Sequence, residues 1–240
     1  MHTVDLTGDD APAAAKASKA VATKQSSEIA TLSSGTGVHG EVGMRDMTIP
    51  YLAIVQKSGT KADTHQVGSW VVGENQVAEK DTPLEVAAWD IQKRYETVHE
   101  FGSGIIPQIF ETAEELRKAG FSLTRGSENE AREIAGILFW IYAPKDADEA
   151  IFPLVTSGGI RGTVAKFVAR STSYGGVAMP LFTAVSPLGH LRGKHLKDGK
   201  WSLSATLTKG NGNTYFKLSL RPKAFTSADV VELVDGLDLV

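Results

Sequence analysis

Eleven basic side chains between residues 156 and 225 carry the most legible chemistry of this sequence: Arg161, Lys166, Arg170, Arg192, Lys194, Lys197, Lys200, Lys209, Lys217, Arg221 and Lys223. Asp198 alone opposes them, so the segment carries a balance of +10. Seven aromatic residues are interleaved with these bases: Phe167, Tyr174, Phe182, Trp201, Tyr215, Phe216 and Phe225. Cations that neutralise phosphates, alternating with aromatic faces on which unpaired bases stack, are the ingredients of single-stranded nucleic-acid binding. Stacking contributes about 1–3 kcal/mol per base whatever the sequence, whereas the Lys/Arg contribution is electrostatic and salt-sensitive.

Strand alternation sharpens the pattern. From Tyr215 onward, Tyr215, Lys217, Ser219 and Arg221 share one face, while Phe216, Leu218 and Leu220 share the other. One face suits a core, and the other offers an aromatic ring followed by cations. Trp201 alternates with Leu203, Ala205 and Leu207, opposite Lys200, Ser202, Ser204 and Thr206, which favours burial; it is retained as a stacking candidate behind Tyr174 and Tyr215. Phe167, Phe182 and Phe216 are expected in the core. The candidate contact set is therefore Arg161, Lys166, Arg170, Tyr174, Arg192, Lys194, Lys200, Trp201, Lys209, Tyr215, Lys217, Arg221 and Lys223. The plainer alternative is a solvated hairpin whose outer lysines discourage edge pairing. Eleven bases against one acid over seventy residues favours a polyanionic partner.

Other chemistries find less support. Thr156-Ser157-Gly158-Gly159-Ile160-Arg161-Gly162-Thr163 reads as a turn opening a helix, where backbone N–H groups and Arg161 would suit a phosphate. It completes neither a Walker sequence nor a dinucleotide fingerprint. There is no cysteine, so thiol catalysis and Cys-based metal sites are excluded. The six histidines, at 2, 39, 65, 99, 190 and 195, show no metalloprotease spacing, and no Gly-x-Ser-x-Gly elbow occurs. No enzyme activity, cofactor or metal is expected.

The elements that must position these residues follow from composition and punctuation. Residues 1–45 are Ala/Ser/Gly-rich without an aromatic residue and read as a disordered arm with a weak helix between Ala11 and Ala22. Residues 46–225 read as a single domain, and 226–240 as an acidic helix or tail carrying Asp229, Glu232, Asp235 and Asp238. Strands are expected over Met47–Val55 (an edge strand, because of Pro50), Trp70–Val72, Pro83–Phe101, Ile134–Ala143, Ala150–Val155, Leu181–Leu191, Lys200–Lys209 and Thr214–Pro222. Helices are expected over Glu111–Ala119, near 160–171 and over Ser227–Val234. Gly210-Asn211-Gly212-Asn213 signals a hairpin between the last two strands. The fold class is α+β, mostly antiparallel β, as a sheet or small barrel. The whole-chain charge of −3 over 240 residues is a cancellation, since the +10 block is offset by −1 in 1–45, −4 in 46–110, −4 in 111–155 and −4 in 226–240.

The start Ile49-Pro50-Tyr51-Leu52, continuing to Gln56-Lys57-Ser58, resembles that of phage-encoded proteins from replication and recombination gene clusters. The order that follows is similar to phage single-stranded DNA-binding proteins: a long strand ending near Tyr95, a Ser157-Gly158-Gly159 turn into a Lys/Arg helix, and a closing hairpin at Asn213-Thr214-Tyr215-Phe216. The resemblance spans 46–225 and implies an OB-like small barrel with added strands and two to three helices. It further implies coating of single-stranded DNA and contact with replication or recombination proteins through the acidic C-terminus. The chain departs from several such tails by ending in Leu239-Val240 without an aromatic residue. A virion structural or assembly protein and a single-strand annealing protein remain the alternatives, and homo-oligomerisation stays open. With no apolar run of membrane-spanning length and no leader-like start, a cytoplasmic location is expected, the host cytoplasm if the chain is viral.

Overall fold

A computed structural model describes residues 48–237 apart from 58, 101, 211 and 212. The expected N-terminal arm and residues 238–240 lie outside the described residues. Two antiparallel sheets form the body. The smaller has the order β1 (Leu52–Ile54), β2 (Trp70–Val72), β3 (Asn75–Ala78). β1 pairs with β2, and directly before it Tyr51 forms a parallel bridge with Lys166, where Pro50 has no N–H to give and contributes its carbonyl, accepting from the Lys166 backbone N–H at 2.8 Å.

The larger sheet contains β4 (Leu84–Thr97), β5 (Ile109–Phe110), β6 (Ala131–Tyr142), β7 (Leu154–Val155), β8 (Arg161–Arg170), β9 (Gly199–Gly210) and β10 (Asn213–Phe225). Its path runs β10-β9-β4-β6-β8-β7, with β5 paired to the far end of β4. The path ends on β10 and β7 without returning on itself, so the sheet is open and its pairing closes no barrel. The α+β, mostly antiparallel class stands. Among the described residues the helices are α1 (Ala113–Lys118), α2 (Met179–Val185), entered through a π-helical turn (Tyr174–Ala178), and α3 (Ala228–Gly236). None is long and apolar enough to cross a membrane. At α1, the Thr112 hydroxyl accepts from the Glu115 N–H at 3.2 Å while the Glu115 carboxylate accepts from the Thr112 N–H, a capping box.

Two segments exchange the expected types. The helix expected near 160–171 is strand β8. Gly162, Thr163, Val164, Ala165, Phe167 and Ala169 are all buried, because β8 is covered on both faces. Alternation disappears in such a strand, and Ile160, Val164, Phe167 and Val168 imitate helical spacing by coincidence. Conversely, the strand expected over Leu181–Leu191 is the body of α2 and a loop. Val177, Leu181 and Ala184 bury one helical stripe, with Pro180 in the first turn of α2. The expected strand Ala150–Val155 shortens to β7.

The sheet has a core on each side. On one lie Trp70, Val86, Phe139, Trp201, Leu203 and Leu181, beneath the small sheet and α2. On the other, Val230 and Val234 of α3 pack on Ala87, Leu138, Trp140 and Val164. Gly176 lets the π-helical turn reach β10: a Cβ there would stand 2.0 Å from the Leu218 carbonyl oxygen.

Candidate nucleic-acid interface

β9 and β10 pair along their whole length, but β9 meets β4 only from Lys200 to Leu203. The rest of the hairpin therefore projects beyond the sheet. Phe216, Leu218 and Leu220 turn to the core as expected, and all are buried. On the opposite face Tyr215 stands across from Thr208, Lys217 from Thr206, Ser219 from Ser204 and Arg221 from Ser202. The Ser204 and Ser219 hydroxyls are 2.9 Å apart. The result is a row of hydroxyls on β9 beside an aromatic ring and two cations on β10. Segment 199–225 contains no acidic residue.

One carboxylate reaches this surface from outside the hairpin. Glu85 of β4 pairs with Lys200 at 2.5 Å and with Lys223. A register shift between Pro222 and Ala224 accompanies the reach of Lys223. Hydrogen bonds from Lys200 and then Lys223 hold the Glu85 carboxyl below the usual carboxylate range, against a smaller opposing effect of burial. Lys200 also lies 4.1 Å from the Tyr142 ring centre. Lys217 and Arg221 are exposed and make no ion pair among the described residues, and Lys209 is exposed at the tip.

The structure disperses the other candidates. Lys166 and Arg170 share the sheet side of Lys200 and Lys217 by register, but α3 lies on the strands between. Arg170 and Arg132 both grip Glu96, with Arg170 Nη2 2.9 Å and Arg132 Nη2 2.8 Å from its carboxylate. Glu96 is only 2% exposed, so these guanidiniums offset a buried charge. Arg161 pairs with Glu149 at 2.7 Å. Arg192 and Lys194 lie in the loop after α2, where Lys194 sits 3.8 Å from the Phe225 ring centre. This loop flanks an open groove of about 470 Å³ lined by Met179, Pro180, Leu188, His190, Trp201 and Pro222.

Two stacking candidates are corrected. Trp201 is 1% exposed and Tyr174 is 9% exposed, so neither offers a free ring face. Tyr174 packs 6.4 Å from Phe182, and burial raises its hydroxyl's pKa. The turn at Thr156 is corrected too, since it opens β8 and no helix N-terminus exists there. Its Thr156 hydroxyl donates to Asp229 of α3 at 2.7 Å, and a Cβ on Gly158 would meet that carboxylate at 2.4 Å. A carboxylate already occupies the place considered for a phosphate.

The acidic end is a packed helix through Gly236. Asp229 is held below its ordinary value by hydrogen bonds from Ser227 and Thr156. Burial pushes Asp235 up, but bonds from Lys197 and from Trp89 Nε1, the latter 3.0 Å away, outweigh it and leave the carboxyl lowered. Residues absent from the sequence-based set are Glu85, Arg132 and the hydroxyl row. The row was readable from the alternation of Ser202, Ser204, Thr206 and Thr208; the Glu85 contact depends on cross-strand register and was not. Among the described residues no group of His, Asp and Glu is arranged to hold a metal ion. Compared with known protein families, curated proteins and solved structures, the chain matches none.

Proposed function

We propose that this chain is a single-stranded DNA-binding protein of DNA replication or recombination, binding without sequence preference and performing no catalysis. The observation that carries the reading is the acid-free hairpin face on which Tyr215, Lys217 and Arg221 stand in one row beside four β9 hydroxyls. Phosphates meet Lys217 and Arg221 on this face and, where the strand rounds the tip, Lys209, which alternation sets on the Phe216 side, with Lys200 and Lys223 shared with Glu85. A base stacks on Tyr215, and the Ser/Thr hydroxyls donate to phosphate or base-edge acceptors. Such a face suits a single strand because its bases can turn toward the protein, whereas duplex DNA buries them.

The resemblance to phage single-stranded DNA-binding proteins supports the same class, and an OB-like relationship belongs to this proposal. The contact surface, however, is placed on an open hairpin rather than in a barrel groove, because the strand path does not close. Partner binding by the acidic end is proposed only for its exposed remainder, since Asp229 and Asp235 are engaged within the fold. Titration of labelled single strands, duplex and RNA at several salt concentrations tests the reading. Preference for single strands with a steep salt dependence is expected; no binding at low salt, or equal binding to duplex, would refute it.

A further inference from the structure

A glycine inside a strand weakens it, and it stands where the backbone kinks or where another group comes close. Gly136 lies in the middle of β6, between β4 and β8, and neither a kink nor a crowded neighbour accounts for it. It pairs in regular register with Gln92 and Val168 and has no positive φ, and nothing lies within 4 Å of where its Cβ would stand. By alternation the gap opens on the side of Leu138, which packs on α3, yet α3 leaves Gly136 uncovered.

Register gives the gap two unlike walls. On the β8 side Lys166 and Arg170 stand two residues either way from Val168. Lys166 is exposed and makes no ion pair among the described residues. Arg170 and Arg132 share the one carboxylate of Glu96, so a single positive charge remains after pairing. A parallel bridge sets Tyr51 beside Lys166, on the sheet side of Ile49, and Tyr51 is 58% exposed. On the β4 side Glu111 cancels Arg94. Asp90, across Leu138 from Lys166, makes no ion pair among the described residues. With ion pairs already subtracted, one wall is cationic and aromatic and the other offers a lone acceptor.

We infer that this part of the sheet is a second contact site for unpaired nucleotides. A base lies over Gly136 with its amino edge toward Asp90, its flanking phosphates meet Lys166 and Arg170, and the next base stacks on Tyr51. The inference rests on the single-strand reading above but uses none of the hairpin residues. From Gln92 to Ala87 on β4, and on from Lys200 to Thr208 opposite Tyr215, is about 13 residues, or about 43 Å at roughly 3.3 Å per residue. At about 3.4 Å per nucleotide, a strand of about 20 nucleotides reaches both sites, whereas a much shorter one seated on the hairpin meets only the hairpin's charges.

Anisotropy with a labelled strand of about 20 nucleotides tests this, alongside thermal melts of Gly136→Val, Lys166→Ala and Tyr51→Ala. Nothing obstructs a new Cβ at 136 and a β-branched residue suits a strand, so Gly136→Val should melt no lower than the native chain. It should nevertheless bind about tenfold more weakly, because its side chain fills the place of the base. Lys166→Ala should flatten the slope of log affinity against log salt by about 0.7. Tyr51→Ala should bind about tenfold more weakly, a loss that Tyr51→Phe avoids. Native affinity in Gly136→Val, or in both Lys166→Ala and Tyr51→Ala, would overturn the inference. So would a large loss of stability in Gly136→Val, which marks the glycine as a need of the fold. If Lys217→Ala still weakens binding in those cases, the single-strand reading stands without the second site; a native chain that binds no single strand overturns both.

Discussion

Among the described residues Glu85 is the one carboxylate that reaches the hairpin face, and replacing it separates an electrostatic interface from a merely solvated surface. In the native chain Lys209, Lys217 and Arg221 act as whole charges, while Lys200 and Lys223 together count as one after Glu85 is subtracted. Four effective charges give a slope of log affinity against log salt of about −2.8 for a single strand. Affinity should then fall about 50-fold between about 50 and 200 mM salt. Glu85→Gln restores the fifth charge, so binding tightens at low salt and the slope steepens to about −3.5, a fall of about 130-fold over the same range. Lys217→Ala moves the other way, to about −2.1 and about 20-fold. The glutamate side chain is about one-third exposed, and ion pairs in that setting add little to stability, so the folded population should be unaffected. Fluorescence anisotropy with a labelled oligonucleotide at four or more salt concentrations reads all three slopes. If Glu85→Gln binds no more tightly than the native chain, or leaves the slope unchanged, the phosphate path does not cross this face.

Four further outcomes are expected. Tyr215→Ala should weaken single-strand affinity by about 1–3 kcal/mol, while Tyr174→Phe should leave affinity unchanged, because the buried ring of Tyr174 cannot meet a base; the same anisotropy titration checks both. Gly176→Ala should cost at least about 1–3 kcal/mol in denaturant melts, since the new methyl group meets the Leu218 carbonyl and backbone must shift. Gly175→Ala, with nothing within 4 Å of its Cβ, should be neutral or stabilise by about 0.4–1 kcal/mol. Glu96→Ala should destabilise by about 3 kcal/mol, the low end for a broken buried pair because both guanidiniums are partly solvated. Finally, a depressed carboxylate contributes stability that is present above its unfolded pKa and lost as pH falls through the folded one. Glu85 is depressed, so any melting-temperature advantage of the native chain over Glu85→Gln should exist at neutral pH and vanish in acid below the ordinary carboxylate range; an advantage that grows in acid would contradict the Lys200 and Lys223 assignment.

Local chemistry was legible in the sequence wherever one face of an element meets water. The hairpin, helix α1, β2 and the long β4 all follow from alternation, terminal charges or turn glycines. The sequences of β8 and α2 point to the wrong element type for a shared physical reason. β8 is buried on both sides, so polarity carries no period there; its β-branched Thr163, Val164 and Val168 were the better guide. In the 181–191 stretch apolar Leu181, Phe182 and Val185 crowd together, and only Pro180 signals a helix start. Open versus closed topology was not legible at all, because it depends on whether the outermost strands β10 and β7 meet, and no local pattern encodes that pairing.

A charge count along the chain is one-dimensional, whereas neutralisation acts across the sheet. The acidic first half and the basic second half are interleaved by strand order, with β4 seated between β9 and β6, and this places carboxylates of one half against bases of the other. Glu85 meets Lys200 and Lys223, Glu96 meets Arg170, and Glu149 meets Arg161, while α3 returns Asp235 to Lys197. The +10 block therefore shrinks most where it is flanked by other strands and least where the hairpin outruns β4. Lys217, near the projecting end, and Arg221, on the outer strand, keep their charge because no acidic strand lies beside them. The hairpin's excess length beyond β4 thus converts a diffuse basic segment into a localised one, and shortening β9 and β10 together by two residues each at the tip should weaken single-strand binding more than any one substitution on β8.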